Sequence, residues 1–330
     1  MMDVRGVARR FDRYQQKHVI LAFPIALIRK FSEDQAGSRA ALISYYGFFS
    51  LFPLLLLTTT IFGTILRGDP HLEHSLVHSE LANFPIIGPQ IEHNVHSLKG
   101  NTVAMVIGAV GTIWVGTYVG QAIENAMNAV WNTPLIQRPS MLIRRLKGLG
   151  AMAILGGASL LSTILAGVVA GAHAGDLTRV AGFMISFLAD LGVFALTYKL
   201  LTAERLAWKD IAVGTLTATV AWEVLQAIGG WYVARELRKA SDVYGFFAIV
   251  IGLLSWLYLT AQVMIISAEI NVVTKRHLWP RSLLPPPYTT ADQKAFSYLA
   301  RMEERARGER IAVGFDDPTN PLDSPRYHET

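Results

Sequence analysis

Six stretches of this chain stay apolar for far longer than a soluble helix or strand normally does: 41–66, 102–120, 148–171, 180–201, 211–233 and 243–267. A helix rises ~1.5 Å per residue and needs ~20 apolar residues to cross a ~30 Å hydrocarbon layer. Each stretch reaches or nearly reaches that length. Core helices of soluble proteins keep one polar face, because one side meets water. Strands of a membrane barrel alternate over ~10 residues, whereas these runs are continuous. The pattern predicts an all-α, polytopic membrane bundle of six spans.

Charge then sets the orientation. Of the 30 Lys and Arg residues, 24 fall on alternate connections that share one side of the predicted bundle. They lie in the N-terminal segment from Arg5 to Arg39, at Arg138–Lys147, at Lys199–Lys209, and beyond the sixth span from Lys275 to Arg326. Only Arg67, Lys99, Arg179, Arg235, Arg238 and Lys239 fall on the other side. The excess of Lys and Arg marks the cytoplasmic side, so both termini are expected there. Basic residues at span ends face membrane lipids rather than nucleic acid, since no aromatic-interleaved basic motif accompanies them.

Composition agrees with this reading: 52% of the 330 residues are hydrophobic and 17% charged, and mean hydropathy is +0.33. There is no cysteine, which excludes disulfides and thiolate chemistry. The pattern divides the chain into a basic N-terminal segment (1–39), a membrane domain (40–276) and a cytoplasmic tail (277–330). Residues 19–28 are too short to span and contain Pro24, so they read as an interfacial helix. The tail has Pro285–Pro287 and a charged, helical-looking stretch at 291–310, with 316–330 rich in Pro, Asp and Ser. It is expected to be largely disordered.

Two carboxylates fall near the middle of spans. Asp190 is central in 180–201 and Glu223 in 211–233. A charged Asp at that depth costs roughly 2.5–3.5 kcal/mol, and such residues face the bundle interior or a cavity. Ser186 shares the Asp190 stripe, as Thr219 and Gln226 share that of Glu223. No Lys or Arg lies at their depth, so at least one carboxyl is expected to hold a proton. Asp190, Glu223, Gln226, Ser186 and Thr219 are therefore the candidate substrate- or proton-binding residues. Their competing reading is polar glue between helices.

Nearer the cytoplasmic boundary, Glu124, Asn125 and Asn128 form a polar helix face, and Glu269 closes the sixth span. They are candidates to line an inner vestibule. Five of the nine histidines lie in the outer loop: His71, His74, His78, His93 and His96. No carboxylate or cysteine completes a ligand set there, so neither metal nor cofactor is expected. Soluble-enzyme motifs are absent from the chain. Gly116–Gly120 and Gly167–Gly171 are small-residue pairs that suit close helix packing, within one chain or between copies in a homo-oligomer.

Several motifs carry a likeness. Asp34-Gln35-Ala36, Ala40-Ala41-Leu42-Ile43-Ser44-Tyr45-Tyr46 and Ser50-Leu51-Phe52-Pro53-Leu54-Leu55 open it. Ala126-Met127-Asn128-Ala129-Val130-Trp131, Tyr244-Gly245 and Leu254-Ser255-Trp256-Leu257-Tyr258 continue it, and Ser267-Ala268-Glu269-Ile270-Asn271 closes it. Over roughly 20–276 the ensemble resembles the YihY/BrkB family of bacterial inner-membrane proteins, nearest its YhjD-like branch. Ser267 departs from the usual Gly of the last motif. The resemblance implies six spans, cytoplasmic termini, and a role in envelope integrity or in transport of a lipid or small solute. It implies no catalytic motif, and the family's old ribonuclease label finds no water-accessible carboxylate cluster here. Ser50, Pro53, Asn128, Tyr244, Gly245 and Glu269 are the motif-matched positions. The expected function is a transporter or flippase-like protein, with a non-transporting structural protein as the rival.

Overall fold

The computed structural model describes residues 4–65, 102–171, 176–232 and 246–315. The described chain is helical, with α1 (Val4–Lys17), α2 (Val19–Glu33), α3 (Ala36–Ile65), α4 (Thr102–Val130) and α5 (Met141–Gly171). These are followed by α6 (Asp176–Leu200), α7 (Trp208–Tyr232), α8 (Phe246–Arg276) and α9 (Thr290–Arg301). Five apolar segments are long enough to cross a membrane: Ala36–Leu57, Thr102–Val130, Val180–Leu200, Trp208–Gly229 and Val250–Arg276. The remaining predicted span, 148–171, lies within the 31-residue helix α5. The outer-loop histidines, Tyr244 and Gly245 lie outside the described residues, as do 316–330.

Consecutive long helices pack on one another from α3 to α8, and α8 returns to α3, which closes the bundle into a ring. Glycines set the closest approaches. A Cβ on Gly108 would stand 2.8 Å from the Leu57 backbone, and one on Gly111 would stand 2.8 Å from Pro53 Cβ. Gly120 abuts the Gly148 backbone at 3.0 Å. Gly120 is thereby used for packing within the chain. Pro53 removes one backbone donor from α3, yet the helix runs through it.

The spans are longer than the bilayer requires. At 29 residues α4 reaches ~43 Å, well beyond a ~30 Å hydrocarbon core. The excess of α4 and α8 projects at the basic end, and the fully buried apolar residues gather there. Ala36, Ala126, Met127, Trp131, Ile265 and Val272 are each at most 1% exposed. Within the membrane-crossing segments, by contrast, only 17–28% of the most apolar stretch is buried. The principal core is thus a base built below the lipid.

Short elements complete that base. α2 buries Ala22, Ala26 and Lys30, one face at spacing four, against α8. Gln35, at φ 52°, turns the chain from α2 into α3, and Asn132, at φ 47°, follows the end of α4. Both are left-handed positions, which Asn tolerates better than most residues. The other face of α1 and α2 leaves Val7, Phe11, Val19 and Ile20 exposed.

The described part of the tail, to residue 315, is folded into the base, unlike the largely disordered appendage expected. Thr289 and Asp292 form a reciprocal capping box that starts α9. The helix ends at Arg301, earlier than the 310 expected. Beyond it, the Leu135 and Ile136 amides donate to the Met302 and Glu304 carbonyls at 3.1 and 3.0 Å. Few apolar residues are needed for this docking, because main-chain and ionic bonds supply it.

Candidate functional site

Inside the base, α2, α4 and α8 bring together charges distant in sequence. Lys30 Nζ lies 2.5 Å from Asp34 Oδ2 and 3.3 Å from Glu269 Oε2. It also donates to Asn132 Oδ1 at 3.3 Å, while Asn132 Nδ2 donates to Asp34 Oδ1 at 3.2 Å. All four side chains are buried, Glu269 completely. Arg276 extends the network, donating to the Trp131 carbonyl at 2.6 Å and to Asn132 and Glu204 at 3.3 Å. Its guanidinium also stacks 4.1 Å from the Tyr298 ring centroid on α9. One lysine thus serves two carboxylates. Glu269 lies beside both Lys30 and the Asp34 carboxyl, wholly enclosed.

A second network seals the tail. Arg281, fully buried, donates to Asp292 at 2.5 Å and to Glu33 at 2.6 Å. Asp12 accepts from the Leu283 amide at 2.9 Å and the Ser282 hydroxyl at 3.2 Å. Gln15 donates to the Arg281 carbonyl at 2.7 Å. Burial by itself pushes the Asp292 carboxyl up, but bonds from Arg281, Ser282 and Thr289 outweigh it and hold the group below the usual carboxylate range. Asp12 is lowered in the same way: burial raises it, and the donors Leu283, Gln15, Gln16 and Ser282 prevail.

The vestibule residues are taken up by pairing. Glu124 accepts from Arg144 Nε at 3.1 Å, and Asn125 accepts from the same guanidinium. Asn128 is fully buried and accepts the Ala203 amide at 2.8 Å. With Glu269 beside Lys30, each of these four residues has a donor or cation within reach. The Ser50 hydroxyl is likewise satisfied locally, by the Gly47 carbonyl at 2.6 Å.

The mid-span carboxylates lie on the packed helices α6 and α7. Asp190 lies within electrostatic range of the Trp222 side chain and of Glu223. Both acids and Ser186 are half-buried. Thr219 is fully buried and donates to the Thr215 carbonyl at 3.0 Å. Gln226 is exposed, one turn further along α7, so it does not join them.

The residues that sequence reasoning missed are Lys30, Asp34, Arg144, Arg276, Arg281 and Asp292. A signal was present for Lys30: it continues the buried stripe begun by Ala22 and Ala26. Among the described residues, no group of three His, Cys, Asp or Glu side chains is placed to hold a metal ion.

Comparison with known proteins places this architecture. A UPF0761 membrane protein of Ralstonia nicotianae is 29% identical over 78% of this chain and 60% of its own length. A second, from Alkalilimnicola ehrlichii, is 27% identical over 76% of this chain and 58% of its own. The chain therefore spans about three fifths of the length of these two relatives. A third, from Cronobacter sakazakii, is 26% identical over 77% of this chain and 88% of its own. No solved structure matches. The family model described as virulence factor BrkB matches residues 27–286, from the packed end of α2 through all the spans and past Arg281. This multi-pass membrane protein belongs to the BrkB family.

Proposed function

We propose that the protein moves a lipid or a small solute across the membrane in support of the cell envelope, using Asp190 and Glu223 as its polar site within the spans. One observation supports this reading: Asp190 lies within electrostatic range of Glu223 and of the Trp222 side chain across the packed α6–α7 interface. Ionisable groups inside a span are costly and are kept where a substrate or proton uses them. A helix pair held only by packing needs neither acid. The paired residues of the base give the bundle a rigid floor, against which α6 and α7 can adjust.

The full-length protein in liposomes tests this. Asp190→Asn and Glu223→Gln preserve shape and remove titration, so each is expected to lower proton-dependent lipid or solute flux at least tenfold, a loss of about 1.4 kcal/mol in transition-state stabilisation. Full flux from both variants at every pH refutes the assignment. The rival, a structural membrane protein without transport, is favoured by the density of ion pairs in the base. It predicts folded protein with no flux, and variants that change stability alone.

A further inference from the structure

The cytoplasmic half of the α4–α5 interface contains a cleft of about 280 Å³. Val110, Ile113, Trp114 and Leu149 form its apolar wall, with Tyr118 and Arg145 among the polar groups that complete it. Thr117 adds little polarity, since its hydroxyl already donates to the Ile113 carbonyl at 2.8 Å. Tyr118 is fixed by stacking on Tyr46, ring centroids 5.5 Å apart.

The two adjacent arginines of α5 have different roles. Arg144 is committed to Glu124 and Asn125. Arg145 is exposed and has no carboxylate partner among the described residues. It lies one turn into α5, roughly 6 Å along the axis from Met141, and so at headgroup depth on the basic side. From there the α4 wall runs ~12 Å from Tyr118 to Val110, most of the ~15 Å depth of one leaflet. Trp114, Val110 and Ile113 are 58–65% exposed along that line.

We infer that this cleft binds one anionic phospholipid of the inner leaflet, its phosphate on Arg145 and an acyl chain along Val110, Ile113 and Trp114. The charge requires an anion, and the continuous apolar wall requires a chain attached to it. A guanidinium suits a phosphate because its planar fork donates two parallel bonds. Basic pockets between spans on this side are where anionic headgroups are held. The site is distinct from Asp190 and Glu223 and does not depend on transport.

Native mass spectrometry of the purified full-length protein, in detergent containing phosphatidylglycerol or phosphatidylcholine, tests the inference. Phosphatidylglycerol is expected to stay bound, and Arg145→Gln to weaken it about tenfold while Arg145→Lys retains part of the binding. Lys294→Gln, an exposed cation on α9, should leave binding unchanged and serves as the charge control. Trp114→Ala should weaken binding through the chain alone. Because Arg145 is unpaired, the glutamine variant should elute and melt as the parent does. Equal binding of phosphatidylcholine, equal loss with Lys294→Gln, or displacement by inorganic phosphate at the same concentration would each overturn the assignment.

Discussion

Individual side chains in the base carry large and opposite consequences. Lys30 is in contact with two buried acids, so Lys30→Met leaves Asp34 and Glu269 without that cation. Breaking a buried ion network in this way costs about 3–5 kcal/mol. A fall in melting temperature of the detergent-solubilised protein, or loss of the monodisperse peak, is the expected result. Glycines divide by what surrounds them. A Cβ on Gly214 would collide with the Ser267 carbonyl and the Asn271 side chain, whereas Gly150 has open space. Gly214 also gives its amide to Asn271 at 2.6 Å. Gly214→Ala should therefore destabilise by about 1–3 kcal/mol. Gly150→Ala should be neutral or stabilising by up to about 1 kcal/mol. Thermal melts of the two variants side by side check the contrast.

Among the elements, α9 and the segment before it have the most conditional hold. Asp292 and Asp12 are held below their unfolded carboxylate range. A lowered folded-state pKa stabilises the docked form above the unfolded value, near 3.9, and that contribution disappears as pH falls through the folded value. The tail is expected to stay docked at neutral pH and to release only in the acid range below about 4. Trp279, which packs edge-on against Phe23 at 5.4 Å, lies beside the docking site and can report release by its fluorescence. Arg281→Gln should release the segment at neutral pH, seen as faster proteolysis after Lys294. The spans were legible from sequence because a bilayer fixes the length and apolarity of anything that crosses it. The base was not, because its bonds join residues whose proximity is a product of the closed ring. Arg281 read as one more positive charge beside the membrane, yet it is wholly enclosed. Depth and stripe put Asp190 and Glu223 on neighbouring helices. Gln226 could not be placed, since helical spacing gives an azimuth and says nothing of what stands opposite.

For the molecule as a whole, the absence of cysteine makes topology directly testable. A single cysteine at Lys294 should react with impermeant maleimide only after the inner membrane is opened, as the excess of Lys and Arg on that side requires. One further consequence concerns synthesis. The Glu33–Arg281 bond joins residues 248 apart, and Lys30 waits almost as long for Glu269. At about 5–20 residues per second, ribosomes need on the order of 10–50 s to supply those partners. Until then a cation emerging early stands beside the translocon with half its counter-charge missing. A chain interrupted before its last crossing would therefore hold Lys30 against Asp34 alone and Glu33 without Arg281, and its base would stay open.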